Sequence, residues 1–451
     1  MPETNLKHRT IRKTNLARRN LLKSGLLAGA TALTAPTLAC NVSKVASSQT
    51  RMPEPPEAKM LDSKEYGQGR IRRVQEAIKK SGLDALIISN RALDYLGYVS
   101  NFHPSSLQIG VAFIPAEGAP TLYIQMYSSV HARTAKKTIW IEDVVDVPKD
   151  PVSESSSLNF YQEVINKLKD LKLTRGRIGL AGGEVDWMLP YYFRSELSEL
   201  RVEDANPMLW SLVIVKDDVE LAFMRHAQKI IDEVVYPQYQ KSAVVGALDA
   251  DAQFELLSAM LKAGVDIRNS SVSFGAAPYS SGTWAGPVAN RRIQKGDIIL
   301  SEPIPYVKRY NVEKMFTFAV GKDIPESQKR GAQVIYESFL MALDELKPGR
   351  EMRSIFEKCN NFIKSKGYEE GSTVLIGHWI GAAGARTSHE GARITSEGTQ
   401  GLILQPGMVL SWHPNVVVPG EVRTCCSACL LITEKGVESL SKIPMEPLYY
   451  V

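Results

Sequence analysis

Midway along the chain, Leu221, Met224, Ala227, Ile230, Ile231 and Val234 recur at the three-and-four spacing of a helix with one buried face. Such a helix needs a surface to lie against, and it starts just after a break in pattern near Ala205 to Trp210. A chain of 451 residues is also too long for one ordinary core. The break therefore reads as a boundary between a first domain over 66–207 and a second over 208–451.

The start of the chain lies outside both. Residues 1–39 carry seven Lys/Arg against the single acid Glu3. Ala17-Arg18-Arg19-Asn20-Leu21-Leu22-Lys23, followed by the apolar run Gly25 to Leu33, resembles a twin-arginine export signal. The run is too short to span a membrane stably. Thr37-Leu38-Ala39-Cys40 resembles a lipoprotein processing box, with Thr37 where such boxes usually have Leu. Two outcomes follow: a lipid on Cys40, or ordinary cleavage near Ala35 or Ala39. Either way the expected location is the periplasm, reached by the twin-arginine route, with membrane contact only through the signal or that lipid.

Removing this segment changes the charge argument. The whole chain carries +5, of which +6 lies in the first 39 residues, so about −1 remains. No nucleic-acid partner is implied. Beyond Cys40 the only cysteines are Cys359, Cys425, Cys426 and Cys429, too few for a disulfide framework. Three thiols within five residues in an oxidising compartment must bond, bind metal or be buried. If that stretch is a strand, Cys426 and Cys429 point to alternate faces and one packs in the core.

A polar linker with Pro53, Pro55 and Pro56 closes the 40–65 stretch, and ordered structure is expected from about Tyr66. Ile71, Val74, Ala77 and Ile78 then give a helix, and Leu83 to Ser89 a buried strand ending at the Asn90-Arg91 turn. Strands follow at Ile109 to Ile114 and Thr121 to Gln125, with a turn over Pro115 to Pro120. Helix Asn159 to Leu171, strand Arg177 to Leu180 and helix Val185 to Leu197 complete a mixed α/β domain. In the second domain, 271–318 is rich in β-branched residues and turns, and helices are expected at Gln328 to Leu346 and Met352 to Lys366. Strands return after Gly371, which makes the whole an α/β (α+β) chain.

Several local phrases carry a resemblance: Lys216-Asp217-Asp218-Val219-Glu220-Leu221, Gly296-Asp297-Ile298-Ile299-Leu300, Gly377-His378-Trp379-Ile380-Gly381 and Pro406-Gly407-Met408-Val409-Leu410-Ser411. With Pro287-Val288-Ala289-Asn290-Arg291, they resemble the creatinase/aminopeptidase superfamily over about 66–451. The resemblance implies a creatinase-like N-terminal domain, a C-terminal pita-bread domain and a homodimer. In metal-dependent members two divalent ions are held by Asp, Asp, His, Glu and Glu. Carried over by motif, those positions become Glu302, Glu313, His378, His413 and Cys425. Both aspartates are lengthened by a methylene, and the two glutamates become imidazole and thiol. Every member of the set is still a metal ligand, and iron, zinc, manganese or copper would suit it, with softer ions favoured over the family's usual ones.

Other family positions depart too. Creatinase's catalytic histidine would fall on Ala285, and its Glu-Arg pair on Met315 and Phe316. A substrate-facing histidine is carried to His389, with Glu390 beside it as a proton shuttle. Arg386 or Arg393 would clamp a carboxylate, and Trp284 would line the cleft or pack. The reading is an exported hydrolase of a C–N bond in a small amino-acid derivative or dipeptide, with His378 and His389 at its centre and weak or no Xaa-Pro cleavage. Two alternatives stand beside it: a metal-dependent lyase acting on a betaine- or sulfonium-like compound, and an inactive homologue that binds a small ligand.

Overall fold

A computed structural model describes residues 51–89, 95–102, 109–125, 136–147, 157–182, 188–267, 269–276, 290–368, 377–381, 399–417 and 423–451. The export signal and Cys40 lie outside them, as do Trp284, Ala285, Arg386, His389, Glu390 and Arg393.

Structure begins before the expected Tyr66. A short helix over Ala58–Leu61 falls in the stretch read as linker, and the Met52 amide donates to the Ala263 carbonyl at 3.1 Å. Leu61 is buried and its carbonyl accepts from the Trp140 indole at 3.1 Å. Polar, Pro-containing sequence hid this, because only two apolar side chains anchor it. The next helix, Lys64–Lys80, is capped by Ser63, whose hydroxyl accepts from the Tyr66 amide.

Six strands build the first sheet: β1 (Ala85–Ser89), β2 (Ile109–Pro115), β3 (Thr121–Gln125), β4 (Asp143–Asp146), β5 (Arg177–Ala181) and β6 (Arg201–Asp204). Their order is β4-β3-β2-β1-β5-β6. The pairs β1–β2 and β2–β3 are antiparallel, and β1–β5, β5–β6 and β3–β4 are parallel. The helices Ser157–Asp170 and Met188–Glu196 complete this half. The two outer strands escaped the sequence because they are short and largely exposed, with no apolar alternation to mark them.

The mid-chain amphipathic helix spans Asp218–Ile230 and runs on as a π-helical turn, Ile231–Val235, into Tyr236–Ser242. Its start is a capping box in which Asp217 accepts from the Glu220 amide and Glu220 accepts from the Asp217 amide. A further helix, Asp249–Ala263, buries Ala252, Leu256, Ala259, Met260 and Ala263. Two four-stranded sheets follow. One has the order β18-β11-β8-β7, from β7 (Ser271–Ala276), β8 (Ile298–Ile304), β11 (Phe316–Ala319) and β18 (Tyr449–Tyr450). The other, β12-β13-β16-β17, uses β12 (Gly377–Trp379), β13 (Val409–Trp412), β16 (Ala428–Thr433) and β17 (Gly436–Ser439). Two short ribbons pair β9 (Tyr306–Val307) with β10 (Tyr310–Asn311), and β14 (Asn415–Val417) with β15 (Arg423–Cys425). The helices Glu326–Glu345 and Met352–Ser365 pack beside them.

The two halves share one core. Ile71, Leu86 and Tyr98 from the first sheet's side belong to the same buried cluster as Phe223, Met224, Ile299 and Tyr310. Arg70 pins this junction. Fully buried, it lies 2.9 Å from the Glu220 carboxylate and 3.5 Å from that of Asp217, and it donates to the Tyr310 hydroxyl at 3.2 Å. Its guanidinium stacks 4.2 Å above the Tyr98 ring, and the Tyr66 hydroxyl donates to both Asp217 carboxylate oxygens. The charge that caps the mid-chain helix thus also ties it to the N-terminal one.

Among the described residues no helix is long and apolar enough to cross a membrane.

Candidate functional site

Three of the five carried-over positions meet. Glu313 sits between β10 and β11, His378 on β12, and His413 just past β13. Antiparallel pairing of β12 with β13 sets His378 opposite Ser411, which brings the next residues of β13 round to His413. Nε2 of His378 lies 2.8 Å from Glu313 Oε1, and Nε2 of His413 lies 3.7 Å from the same oxygen. The two rings stand edge to face with centroids 5.0 Å apart. One ligand atom from each residue falls within 4.8 Å of the others.

Burial and charge prepare these groups. Glu313 is 3 % exposed and His413 2 % exposed. Burial opposes ionisation of Glu313, but the adjacent His378 imidazole overcomes it and holds the carboxyl well below the usual carboxylate range. Burial pushes the His413 ring down to about 4, with His378 adding to the effect. At neutral pH the pair therefore offers a carboxylate and a neutral imidazole, the forms a metal ion requires. Nδ1 of His378 is 3.2 Å from the Trp379 carbonyl, a contact that orients the ring so that Nε2 faces Glu313. One carboxylate and two imidazoles suit a divalent transition metal.

Glu302 and Cys425 are outside this group of ligand atoms. Both are buried, and Glu302 is close enough to Cys425 to help raise its thiol. Cys425 packs with Leu300 and Met315, and burial raises its thiol well above the usual range. The four cysteines of the described residues are all free and buried. Cys426 and Cys429 pack in separate core clusters, so both, and not one alone, are core residues. Met315 and Phe316, where creatinase would carry its Glu-Arg pair, are also core: Phe316 stacks on Tyr236 with centroids 5.4 Å apart.

Lys216 is a residue whose position the sequence did not reveal. Its side chain is buried, Nζ donates to the Ile214 carbonyl at 3.1 Å, and its amide donates to the Gly407 carbonyl at 2.9 Å. Gly381, three residues after His378, has φ +130°, and a Cβ there would lie 2.5 Å from Lys216 Cε. Glycine is required for this close approach, which fixes the end of the segment bearing His378.

Burial lowers the Lys216 ammonium to about 8. Because the folded pKa lies below the unfolded one, the unfolded chain binds more protons between the two values, and stability should rise with pH through that window. The expected gain from Lys216 between about pH 7.5 and about pH 9.5 is about 2 kcal/mol. Urea unfolding of wild type and Lys216→Met at both pH values measures it. Identical pH slopes for the two proteins would refute it.

Residues 70–212 match the model of the creatinase/prolidase N-terminal domain, and residues 222–437 that of metallopeptidase family M24. The chain is 24% identical over 385 residues to an Xaa-Pro dipeptidase of Pyrococcus horikoshii, covering 84% of this chain and 98% of that protein. It is 21% identical over 406 residues to a creatinase of a Bacillus species, covering 85% of this chain and 92% of the creatinase. The crystal structure of dipeptidase PepE from Mycobacterium ulcerans superposes with a TM-score of 0.72 at 21% identity, over 86% of this chain and 99% of that one. The prolidase of Pyrococcus horikoshii gives a TM-score of 0.68 at 20% identity, over 84% and 100%. On both its domains and its fold, this chain belongs to the creatinase/aminopeptidase superfamily of pita-bread hydrolases.

Proposed function

We propose that the protein is an exported hydrolase that cleaves a C–N bond in a dipeptide or small N-substituted amino acid, using one divalent metal held by Glu313, His378 and His413. The observation that carries this reading is the convergence of those three ligand atoms within 4.8 Å. A carboxylate with two imidazoles is a donor set of mononuclear hydrolytic sites, which keep a further position for substrate or water. The chemistry such an ion supplies when bound is polarisation of the scissile group and a lower pKa for the attacking water. The chain's own part is to hold Glu313 ionised and His413 neutral, to orient the His378 ring through the Trp379 carbonyl, and to exclude bulk water by burial.

The relatives named as dipeptidases and creatinase support the bond class. The apolar Met315 and Phe316 argue against creatinase-type chemistry, and the substitution of His413 for a carboxylate argues against routine Xaa-Pro cleavage. Export by the twin-arginine route, a periplasmic location and a homodimer remain part of the same proposal, resting on the sequence. Elemental analysis of the purified protein should find about one transition-metal ion per chain. His413→Ala should lose it and Cys425→Ser should keep it. In a panel of dipeptides and N-methylated amino acids, turnover should be metal-dependent and Xaa-Pro dipeptides should be poor substrates. Metal-free protein with undiminished turnover would overturn the reading.

A further inference from the structure

Glu313 is held by a seam that is made of side chains. Cys429 Sγ accepts from the Glu313 amide at 3.3 Å and donates to the Glu313 carbonyl at 3.1 Å. Two residues on, the Met315 amide donates to the Ser427 hydroxyl. Two residues further, the Thr317 hydroxyl accepts from the Cys425 amide at 2.9 Å and donates to the Cys425 carbonyl at 2.8 Å. The partners 313/429, 315/427 and 317/425 step in opposite directions by two, the register of an antiparallel strand pair. Yet among the described residues no strand pairing joins the two segments. Between the rungs, the Lys314 ammonium donates to the Ser427 carbonyl at 3.0 Å.

The consequence is local to the candidate metal ligand. Both main-chain polar groups of Glu313 are satisfied by one thiol, and Cys429 is itself fixed on β16, whose neighbour β13 leads into His413. One carboxylate oxygen must sit between two imidazoles, so the backbone under it cannot drift. We propose that Cys429 is a positioning residue of the metal site, its thiol acting as a two-bond clamp that sets the Glu313 backbone and so the aim of its carboxylate. The proposal rests on the metal reading of Glu313, His378 and His413.

The experiment uses the full-length mature protein, stripped of metal and titrated with zinc against a chromophoric chelator. Cys429→Val keeps the volume and removes both bonds, Cys429→Ser restores a donor and an acceptor, and Thr317→Val removes the two bonds at the other end of the seam. Zinc affinity is expected to fall about 10- to 100-fold in Cys429→Val, as for loss of an outer-shell partner, and to stay within about threefold of wild type in the other two. Thr317→Val, matched for lost hydrogen bonds, controls for general destabilisation through its melting temperature. Hydrogen exchange of the Glu313 amide in metal-free protein supplies a second readout, expected to be faster in Cys429→Val than in Thr317→Val. Wild-type affinity and exchange in Cys429→Val, or equal effects in Thr317→Val, would overturn the clamp. A wild-type protein that takes up no zinc defeats the metal reading instead, and the exchange comparison then decides on Cys429 alone.

Discussion

Glu313→Ala is expected to abolish stoichiometric metal binding and to lower turnover by more than the roughly 10–100-fold typical of losing an outer partner. The reason is geometric. Glu313 Oε1 is the one atom that both imidazoles approach, at 2.8 and 3.7 Å, so removing it leaves the two imidazoles with no anionic ligand beside them. Glu313→Asp should not rescue the site, although aspartate is the residue that the family motif places here. One methylene fewer withdraws the carboxylate by about 1.5 Å, and His413 cannot follow because it is packed in the core. Metal content and turnover measured on the two variants are the check. A Glu313→Ala protein that retains both a full complement of metal and wild-type turnover would remove this residue from the site.

The second large effect is on stability. Arg70→Ala is expected to cost about 3–5 kcal/mol, because it strands the Glu220 carboxylate in the core without its cation. The surrounding contacts sharpen the expectation: Asp217, Tyr310 and the Tyr98 ring all lose the same partner at once. A double variant, Arg70→Met with Glu220→Gln, replaces the buried pair by neutral groups and keeps an acceptor for the Asp217 amide in the capping box. It should recover more than half of the loss. Chemical denaturation of the three proteins decides the matter. Equal losses in the single and double variants would show that the guanidinium stabilises mainly by packing on the aromatic rings.

Sequence was a good guide wherever chemistry and period coincided. Leu83 to Ser89 and Thr121 to Gln125 read as strands because they are continuous apolar runs closed by turn residues, and β1 and β3 lie there. The apolar spacing from Leu221 to Val234 likewise marked the helix that spans Asp218–Ile230 and its π-helical continuation. The helix Asp249–Ala263 was harder, since alanines make up much of its buried face and give a faint period. Arg70 looks in sequence like one more charge on an amphipathic helix, and only the tertiary arrangement of Tyr98, Glu220 and Tyr310 makes it a core residue.

The site was legible to the same degree. Motif spacing named all five carried-over positions, but spacing cannot say how far each side chain reaches. Glu302 lies on β8 opposite Ser273, and Cys425 closes β15, so neither puts a ligand atom among those of Glu313, His378 and His413. The 313–317 and 425–429 seam was invisible for a different reason. Thr, Ser and Cys are ordinary residues of a strand, and nothing in one dimension marks them as bonding to main chain. His389, Glu390, Arg386, Arg393 and Trp284 fall outside the described residues.

The distances along the chain between the three converging groups carry a kinetic meaning. His378 follows Glu313 by sixty-five positions and His413 does so by a hundred, and each is held by a different part of the sheets: the β10–β11 link, β12 and the end of β13. Contacts of such separation form only after loop-closure entropy has been met by the sheets and core around them. The cluster must therefore assemble late, on a framework that is already folded. The ion proposed for this site would then be acquired as a last step of maturation, since a ribosome-bound or partly extended chain has no place where the three groups meet.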